Sequence, residues 1–374
     1  MRVALVHDWL VAHRGGEQVL LELARMYPDA PIFTLVCDRS KIHPELASRT
    51  IVTSAIQRVP GGPAKFRRWF PLFTAALEGL DVSDFELVLS TSHCVAKGVR
   101  THSGQVHLSY IHTPMRYIWD QLEGYLPGGP LGRLMAPGVE RLVRPLRSWD
   151  VRTAAGPTRL VANSKYVRDR IKRYWGRDAA VVYPPVDTEF FTPSSAKRSR
   201  ELLVLGAQVA YKNTTLAIRY ATQASAPLRV LGDGPALEGM RSLAGPTVVF
   251  EGHVSRERVR EAYQQARALL FCGREDFGMV PVEAMACGCP VVALAAGGAL
   301  ESVVGTGREP TGVLFREPSV LALQTALLQL KELEGEGRLT EGSLRRRSLR
   351  FSAARFRADL RQQVAEVLRE SVVG

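Results

Sequence analysis

Short apolar runs alternate with segments of helical periodicity through the first half of this chain. Residues 3–6 form an apolar run. After it, apolar side chains recur at the spacing of one helix face: Val19, Leu20, Leu23, Ala24 and Tyr27. Further runs predict strands at residues 32–36, 87–90, 107–112, 160–162 and 180–183, and residues 165–175 predict a helix. This alternation predicts an α/β fold with a mostly parallel sheet covered on both faces.

The same alternation begins again in the second half. Strands are predicted at residues 201–205, 228–231, 247–251, 268–271 and 290–294, and helices begin near residues 213, 255 and 281. Two prolines and a polar stretch place the domain boundary within residues 184–200. We therefore predict one domain at residues 1–187, a second at residues 188–350, and a C-terminal helix at residues 351–374. Open sheets of this kind bind ligands at the carboxyl ends of their strands.

Composition narrows the class of protein. The net charge of +12 favours acidic partners such as nucleic acid, anionic lipid or phosphorylated substrates. No helix-turn-helix, RNP-like or zinc-finger pattern supports nucleic acid. The N-terminal apolar run is too short for a secretory signal and no stretch is long enough to span a membrane, so we expect a cytoplasmic protein. The five cysteines lack zinc-type spacing and are expected to be small buried side chains.

The most informative loop covers residues 274–284, between a predicted strand and a predicted helix. Gly278 allows a ligand to approach the backbone, and the free N–H groups at this helix start favour an anion. Two carboxylates, Glu275 and Glu283, flank the turn, and carboxylates accept hydrogen bonds from sugar hydroxyls. The loop therefore predicts a site for a phosphate attached to sugars. Alternatively, Glu275 and Asp276 only complement the positive end of the helix.

Three other turns lie at predicted strand ends. Gly297 and Gly298 form either a phosphate-binding turn or a plain tight turn. Lys212 could neutralise a diphosphate or simply be solvated. His112, with Thr113 and Arg116 after it, suits contact with a polar ligand, although a histidine there is also consistent with a structural role. The turn at residues 14–16 lacks the full Gly-x-Gly-x-x-Gly pattern of a dinucleotide site.

Two segments mix basic with apolar residues, at residues 65–73 and 141–147. The first contains Lys65, Arg67, Arg68 and Trp69. This mixture suits the interface of an anionic membrane. The alternative is an amphipathic helix packed on the first domain.

Over nearly its whole length the chain resembles the retaining glycosyltransferases called family 4 or group 1. The most specific motif is Glu275 and Glu283 with Phe277-Gly278 between them and Ala-Met-Ala-Cys-Gly after them. Supporting motifs begin at His7, Gly15, Asn163, Tyr183, Gly232 and Gly252. Residues 112–120 are similar to mannosyltransferases of bacterial surface-polysaccharide assembly. The resemblance implies the GT-B fold, with two Rossmann-like domains facing across a cleft and the C-terminal helix packing back toward the first.

The resemblance also implies residue roles. Glu283 would hold the donor ribose, Glu275 the donor hexose, and Lys212 the diphosphate, while His112 would touch the hexose near the reacting carbon. The implied catalytic residues are His112, Glu275 and Lys212. The implied donor-binding residues are Gly16, Phe277, Gly278, Met279, Val280, Glu283, Gly252 and Arg274. From their own pattern, and not from the resemblance, the predicted acceptor or membrane residues are Lys65, Arg67, Arg68, Trp69 and Arg116.

One motif departs from the family. Many members have Gly-Arg-Leu where this chain has Gly206-Ala207-Gln208, so the arginine that would share the diphosphate with Lys212 is missing. Arg274 or another residue would then replace it. No Asp-x-Asp occurs at a candidate site, so we expect no metal and no cofactor, with the nucleotide sugar as donor substrate.

The sequence therefore predicts a retaining hexosyltransferase that moves mannose from GDP-mannose onto a growing, lipid-linked surface polysaccharide. The expected partners are the nucleotide-sugar donor, the lipid-linked saccharide acceptor and the anionic inner membrane surface, but no nucleic acid. The alternatives are a nucleotide-sugar epimerase on the same fold and a non-enzymatic sugar-binding protein. A periplasmic sugar binder would need a signal peptide, which the sequence does not show.

Overall fold

The computed structural model describes residues 1–120, 130–195 and 197–373, which form two compact units. The first unit comprises Met1–Tyr183 with Phe356–Gly374, and the second comprises Pro184–Arg355. Each unit contains one sheet, and every strand pairing in the described residues is parallel. The predicted α/β class with two Rossmann-like sheets is confirmed.

The sheet of the first unit has seven strands in the order β3-β2-β1-β4-β5-β6-β7. The strands are β1 Val3–His7, β2 Ile32–Thr34, β3 Ile51–Thr53, β4 Leu87–Ser92, β5 Val106–Ile111, β6 Arg159–Ala162 and β7 Ala180–Val181. The helices are α1 Gly15–Met26, α2 Pro44–Ala47, α3 Gly62–Lys65, α4 Phe73–Glu78, α5 Arg116–Trp119, α6 Pro130–Ala154 and α7 Lys165–Trp175. Strand order reverses between β1 and β4, which is where sheets of this type bind ligands.

The sheet of the second unit has six strands in the order β10-β9-β8-β11-β12-β13, with its reversal between β8 and β11. The strands are β8 Leu202–Leu205, β9 Leu228–Leu231, β10 Val248–Gly252, β11 Ala268–Phe271, β12 Val291–Leu294 and β13 Gly312–Phe315. The helices are α8 Thr214–Ala224, α9 Leu237–Arg241, α10 Arg256–Gln265, α11 Met279–Ala286, α12 Ala299–Ser302, α13 Val320–Gly335 and α14 Glu341–Leu349.

The final helix, α15 Ala353–Val373, joins the core of the first unit. Its apolar stripe is buried there: Phe356, Leu360, Val364 and Val367. Arg159 at the start of β6 also makes an ion pair with Glu366 of this helix at 2.7 Å. The predicted return of the C-terminal helix to the first domain is therefore confirmed, and burial of the stripe provides the driving force.

Local signals explain why the predicted helices begin and end where they do. Ser164 caps α7, because its Oγ accepts the Val167 N–H at 3.0 Å. Gly176 ends the same helix with a φ of +68°. In α1, the Glu17 carboxylate accepts the Arg14 N–H at 3.0 Å and closes the first turn.

All five cysteines are buried free thiols, as predicted. Within the described parts of the chain, no helix combines the length and the apolar character needed to cross a membrane.

Candidate functional site

Lys212 and Glu275 meet at the strand-order reversal of the second unit. Lys212 ends a short turn after β8, and Glu275 lies in the loop after β11. The Lys212 Nζ is 3.1 Å from the Glu275 Oε1, and the two side chains are 17% and 19% exposed. The structure thus brings together two residues that the sequence proposed as catalytic, and it pairs the lysine with a carboxylate.

Two glycines make room for this lysine. A Cβ added to Gly206 would lie 2.6 Å from the Lys212 Nζ, and Gly206 has a φ of +133°. A Cβ on Gly273 would lie 2.5 Å from the Lys212 Cα. The Gly273 contact is with backbone, so the position of Lys212 requires glycine there. At Gly206 the contact is with the flexible end of the lysine, and the positive φ is what favours glycine. Sequence reasoning did not identify Gly273, because a single glycine after a strand carries no distinctive pattern.

The loop after β11 leads directly into α11. Gly278 is the N-cap residue of the helix and has a φ of +79°. As a glycine, it makes no side-chain capping hydrogen bond. A Cβ on Gly278 would lie 2.8 Å from the Phe271 ring. Met279 and Val280, the first two helical residues, are partly exposed. This helix start has the positive potential expected of an anion-binding turn.

The glycine pair at residues 297 and 298 has a packing role. Gly298 N–H donates to the Glu275 carbonyl oxygen at 3.0 Å. A Cβ on Gly297 would lie 2.1 Å from that oxygen, and a Cβ on Gly298 would lie 2.2 Å from the Phe277 Cα. The pair therefore supports the backbone of the Glu275 loop, and the Gly298 N–H is not available for phosphate. This packing role fits the alternative of a plain tight turn.

Glu283 lies on α11 with one oxygen bound by a tyrosine. The Tyr263 hydroxyl donates to the Glu283 Oε2 at 2.9 Å, and Tyr263 is fully buried. Burial raises the pKa of the Glu283 carboxyl, although the Tyr263 hydrogen bond and the charge of Arg256 oppose the rise. Tyr263 is a residue that sequence reasoning missed, since an aromatic side chain on a helix usually indicates only packing.

Ala207 and Gln208 stand where the family motif has its arginine, and neither side chain is cationic. Ala207 is exposed, whereas Gln208 is buried and its Nε2 donates to the carbonyl oxygens of Gly206 and Leu231 at 2.8 and 3.1 Å. Gln208 is thus committed to joining the ends of β8 and β9. Arg274 is exposed, with its Cγ beside Gly297.

Gly252 completes the carboxyl edge of the same sheet. It has a φ of +70°, and a Cβ there would lie 3.2 Å from the Asp233 Oδ1. Its carbonyl oxygen accepts the Gly232 N–H at 2.6 Å. The structure therefore places Gly252 and Lys212 along one edge, at the ends of β10 and β8.

In the first unit, Gly16 faces two histidines whose Nε2 atoms are buried. A Cβ on Gly16 would lie 3.7 Å from both the His112 Nε2 and the His7 Cε1. The Nε2 atoms of His7 and His112 are buried and have no hydrogen-bond partner among the described residues. Burial lowers the pKa of His7 to about 4 and that of His112 to about 3. Both rings are therefore neutral at pH 7.

His112 is fixed by its own backbone. Its N–H donates to the Ser92 carbonyl oxygen at 2.8 Å, and its carbonyl oxygen accepts the Asn163 Nδ2 at 3.0 Å. The segment after His112 is held by Arg170, which donates to the Thr113 Oγ1 and to Asp120. Arg116 opens α5 and is partly buried. The sequence identified this segment but not Arg170, whose partners are remote along the chain.

A buried carboxylate lies beside these histidines. Asp8 accepts four backbone N–H groups, those of residues 93–96, at 2.7, 3.0, 2.7 and 2.7 Å. Its Oδ2 is also 3.0 Å from the His93 Nδ1. Burial alone would raise the pKa of Asp8, but the charge and hydrogen bonds of His93 outweigh it and the pKa falls well below its usual range. The sequence highlighted Asp8 only as part of a motif and did not identify His93.

The segment at residues 65–73 divides into a buried and an exposed side. Phe66 and Phe73 are buried in the core, and Trp69 packs partly against it. Lys65, Arg67 and Arg68 are exposed. The segment is therefore packed on the first unit through its aromatic residues, while its cations face solvent. In the described residues no group of three His, Cys, Asp or Glu side chains is arranged to hold a metal ion.

Family models match both units in turn. The model "Glyco_transf_4: Glycosyltransferase Family 4" matches residues 13–190, and the model "Glycosyl transferases group 1" matches residues 186–345. The chain belongs to the family 4, or group 1, glycosyltransferases. The predicted family is thus confirmed, and the group 1 match contains the strand-order reversal between β8 and β11.

Curated relatives match part of this glycosyltransferase. D-inositol 3-phosphate glycosyltransferase 2 of Catenulispora acidiphila is 31% identical over 205 residues, 45% of this chain and 47% of that protein. GDP-mannose-dependent alpha-(1-6)-phosphatidylinositol monomannoside mannosyltransferase of Mycolicibacterium smegmatis is 29% identical over 195 residues, 44% of this chain and 50% of that protein. The chain spans about half the length of these relatives.

Solved structures share the fold over the whole chain. Sucrose-phosphate synthase from Thermosynechococcus elongatus has a TM-score of 0.75 at 16% identity and covers 99% of this chain and 100% of that one. Anabaena Alr3699/HepE in complex with UDP has a TM-score of 0.70 at 17% identity, with coverage of 99% and 100%. At these identities the likeness establishes the GT-B fold of this glycosyltransferase.

Proposed function

We propose that this glycosyltransferase transfers a hexosyl group from a nucleoside diphosphate sugar, and that its second unit holds the donor. The observation that carries the proposal is the Lys212–Glu275 pair at the strand-order reversal, beside the uncapped start of α11. A cation and free N–H groups suit a diphosphate, whereas a carboxylate suits sugar hydroxyls. A nucleoside diphosphate sugar contains both chemical groups.

Binding of the donor exchanges partners at this pair. The diphosphate takes the Lys212 ammonium, and the Glu275 carboxylate is released to accept hydrogen bonds from the hexose. Glu283 accepts hydrogen bonds from the ribose, with Tyr263 fixing its orientation. Gly252 and the backbone of residues 277–280 leave space for the nucleotide and sugar, and Arg274 supplies the second cation in place of the missing arginine.

Charge separation defines the catalytic requirement. Cleavage of the sugar–phosphate bond leaves positive charge at the anomeric carbon and negative charge on the nucleoside diphosphate. Lys212 and the N–H groups of α11 stabilise the leaving group, and a well-placed donor in such a site contributes about 3–4 kcal/mol. This arrangement operates without a metal ion. His112 contacts the hexose near the reacting carbon, with Gly16 close by, and the transfer retains the anomeric configuration.

The proposed donor is GDP-mannose, and the proposed acceptor is a lipid-linked saccharide of a surface polysaccharide. The Mycolicibacterium relative whose name specifies GDP-mannose supports the donor, and the similarity of residues 112–120 to polysaccharide mannosyltransferases supports the acceptor class. The exposed cations Lys65, Arg67 and Arg68 provide a contact to an anionic membrane surface, with Trp69 and Arg116 nearer the acceptor. The enzyme then works at the cytoplasmic face.

Thermal unfolding with GDP, UDP, ADP and dTDP, each with excess EDTA, tests the donor site. A nucleotide present at 100 times its Kd raises the free energy of unfolding by about 2.7 kcal/mol. We expect a clear rise in Tm with GDP and no loss of that rise with EDTA. A rise in Tm with UDP alone would mean that the donor is a UDP-sugar and not GDP-mannose, and would leave the proposed class of reaction unchanged. No rise with any nucleotide would contradict the proposed site.

A further inference from the structure

The Asp8–His93 pair forms a second, separate constellation at the strand-order reversal of the first unit. Asp8 follows β1 and His93 follows β4, the two strands between which the order reverses. None of the roles assigned above uses either residue. Ligands of open α/β sheets bind at such positions, so this pair lies where a ligand is expected.

The Asp8 carboxylate is held by backbone groups as well as by His93. Four backbone N–H groups already donate to its two oxygens, two to each, at 2.7 to 3.0 Å. Four donors fill the lone-pair sites that a carboxylate offers in its plane. The orientation of Asp8 is therefore fixed without His93. The His93 ring, held at Nδ1 by the carboxylate, keeps its Nε2–H for a second acceptor.

The ring of His93 is held in one orientation. Its Nδ1 is 3.0 Å from the Asp8 Oδ2, and Trp9 packs edge-on to the ring with centroids 4.4 Å apart. The His93 side chain is 29% exposed, so with Nδ1 directed at buried Asp8, the edge that carries Nε2 is left to face outward. A histidine whose Nδ1–H is held by a carboxylate presents its Nε2–H in a fixed direction.

The neighbouring titratable groups leave His93 as the cation of this cluster. His7 and His112 lie with ring centroids 6.1 and 6.2 Å from His93, and burial lowers their pKa values to about 4 and about 3. Burial would also lower the pKa of His93, but the charge and hydrogen bond of Asp8 outweigh it and raise the pKa. Glu17 on α1 adds to this rise, and Arg67 opposes it.

We propose that the Asp8–His93 pair is a phosphate-binding element, in which the His93 Nε2–H donates to an anionic phosphate oxygen and Asp8 is the positioning residue. This inference rests on the proposed function for the identity of the ligand. The phosphate belongs either to the nucleoside diphosphate of the donor or to a phosphate-bearing, lipid-linked acceptor. The two sources share one chemistry and are separated by the probe used.

The test compares His93→Gln with wild type by calorimetric titration of the full chain. GDP represents the donor, and geranyl diphosphate represents a phosphate-bearing acceptor. The matched control is His102→Gln, because His102 is an exposed histidine of the same unit whose pKa is also raised, by hydrogen bonds to the Ser103 and Ser83 carbonyl oxygens. Asp8→Asn is a second variant, which keeps an acceptor oxygen but removes the carboxylate charge.

We expect His93→Gln to weaken one of the two probes roughly ten- to hundredfold at about pH 6, the range of a hydrogen bond to a charged group. The wild-type to variant ratio of affinities should shrink as pH rises, because His93 loses its proton as pH passes its raised pKa. Asp8→Asn should move the midpoint of this change to lower pH, and His102→Gln should match wild type.

The outcomes separate this inference from the proposed function. A loss with GDP assigns the phosphate to the donor, and a loss only with geranyl diphosphate assigns it to the acceptor. Equal affinities of wild type and His93→Gln for both probes would overturn the phosphate-binding element while GDP binding keeps the proposed function. Failure of wild type to bind GDP, together with a His93-dependent affinity for geranyl diphosphate, would overturn the donor assignment and keep this element.

Discussion

At the scale of single residues, Lys212 carries the electrostatic part of the donor site. It is the cation of an ion pair only 17% exposed, so its charge is weakly screened. We expect Lys212→Gln to weaken the binding of a nucleoside diphosphate roughly ten- to hundredfold, measured by calorimetric titration, because a hydrogen bond to a charged group is lost. Lys172→Gln is the matched control. Lys172 is also paired with a carboxylate, that of Asp178, but its side chain is 59% exposed. Equal losses in both variants would contradict the role of Lys212.

The Glu283 carboxyl predicts a pH dependence at the same site. Its pKa is raised by burial, so the carboxyl becomes protonated as pH falls through a value above the ordinary one and then accepts hydrogen bonds from ribose less well. We expect nucleotide affinity to fall with falling pH. Tyr263→Phe removes a hydrogen bond that lowers this pKa, so the midpoint of the fall should move to higher pH.

Measuring nucleotide affinity at a series of pH values from about 4 to about 8, the range in which perturbed carboxyl groups titrate, checks this shift. Tyr220→Phe is the control, because Tyr220 is a partly buried tyrosine of α8 packed in the core of the same unit. A midpoint that is the same in wild type and Tyr263→Phe would mean that Glu283 does not control the affinity.

At the scale of elements, the turn after β12 determines the shape of the loop after β11. Gly298 has ordinary helical angles, φ −66° and ψ −16°, so alanine is allowed there by the backbone. Its Cβ would nevertheless lie 2.2 Å from the Phe277 Cα and carbonyl oxygen. We expect Gly298→Ala to lower the free energy of unfolding by about 1–3 kcal/mol, as overpacking does, and to weaken nucleotide binding by displacing the loop.

Chemical denaturation and nucleotide titration of the same preparation measure both effects. Gly239→Ala is the control, because Gly239 is exposed in α9 and its Cβ would meet nothing within 4 Å. That change should leave binding unaltered and add up to about 1 kcal/mol of stability. If Gly298→Ala has the same free energy of unfolding as wild type, the loop after β11 moves aside without cost, and the predicted overpacking is wrong.

The elements also show what the sequence could and could not predict. Strong apolar runs predicted β9 and β11 to the residue, and a capping signal at Asn163 or Ser164 did the same for α7. Helix α14 was not predicted, because it has little amphipathic pattern and buries only Ser343, Leu344 and Ser348. Strand β13 is four residues long and follows a polar turn, so its signal is weak.

The sequence singled out candidate site residues only where neighbouring residues in the chain form a recognisable pattern. Lys212 and Glu275 lie in turns that follow strands, and Glu283 lies on the helix that follows the second of these turns, so the local sequence singled them out and the family resemblance supplied their roles. The partner of Asp8 could not be found in this way, since His93 lies 85 residues away and is joined to it by the pairing of β1 with β4. The role of Gly298 depends likewise on a contact with Phe277, and a three-dimensional contact of this kind leaves no spacing pattern in one sequence.

At the scale of the whole molecule, the net charge of +12 attracts the protein to anionic surfaces in general. A specific docking surface requires more than net charge, because the cations must be close together and exposed. Lys65, Arg67 and Arg68 meet both conditions, and buried Phe66 fixes the segment that carries them. Each such cation adds about 1 kcal/mol of attraction to an anionic leaflet.

We therefore expect the triple variant Lys65→Ala, Arg67→Ala, Arg68→Ala to bind phosphatidylglycerol-containing vesicles roughly a hundredfold more weakly in a sedimentation assay at low salt. Its control is the triple variant Arg219→Ala, Arg308→Ala, Lys331→Ala, which removes the same charge from exposed positions of the second unit. If net charge alone governed binding, the two variants would lose equally and the segment at residues 65–73 would not be the docking surface. If only the first variant loses binding, and added salt weakens vesicle binding by the wild type, the contact lies at residues 65–73.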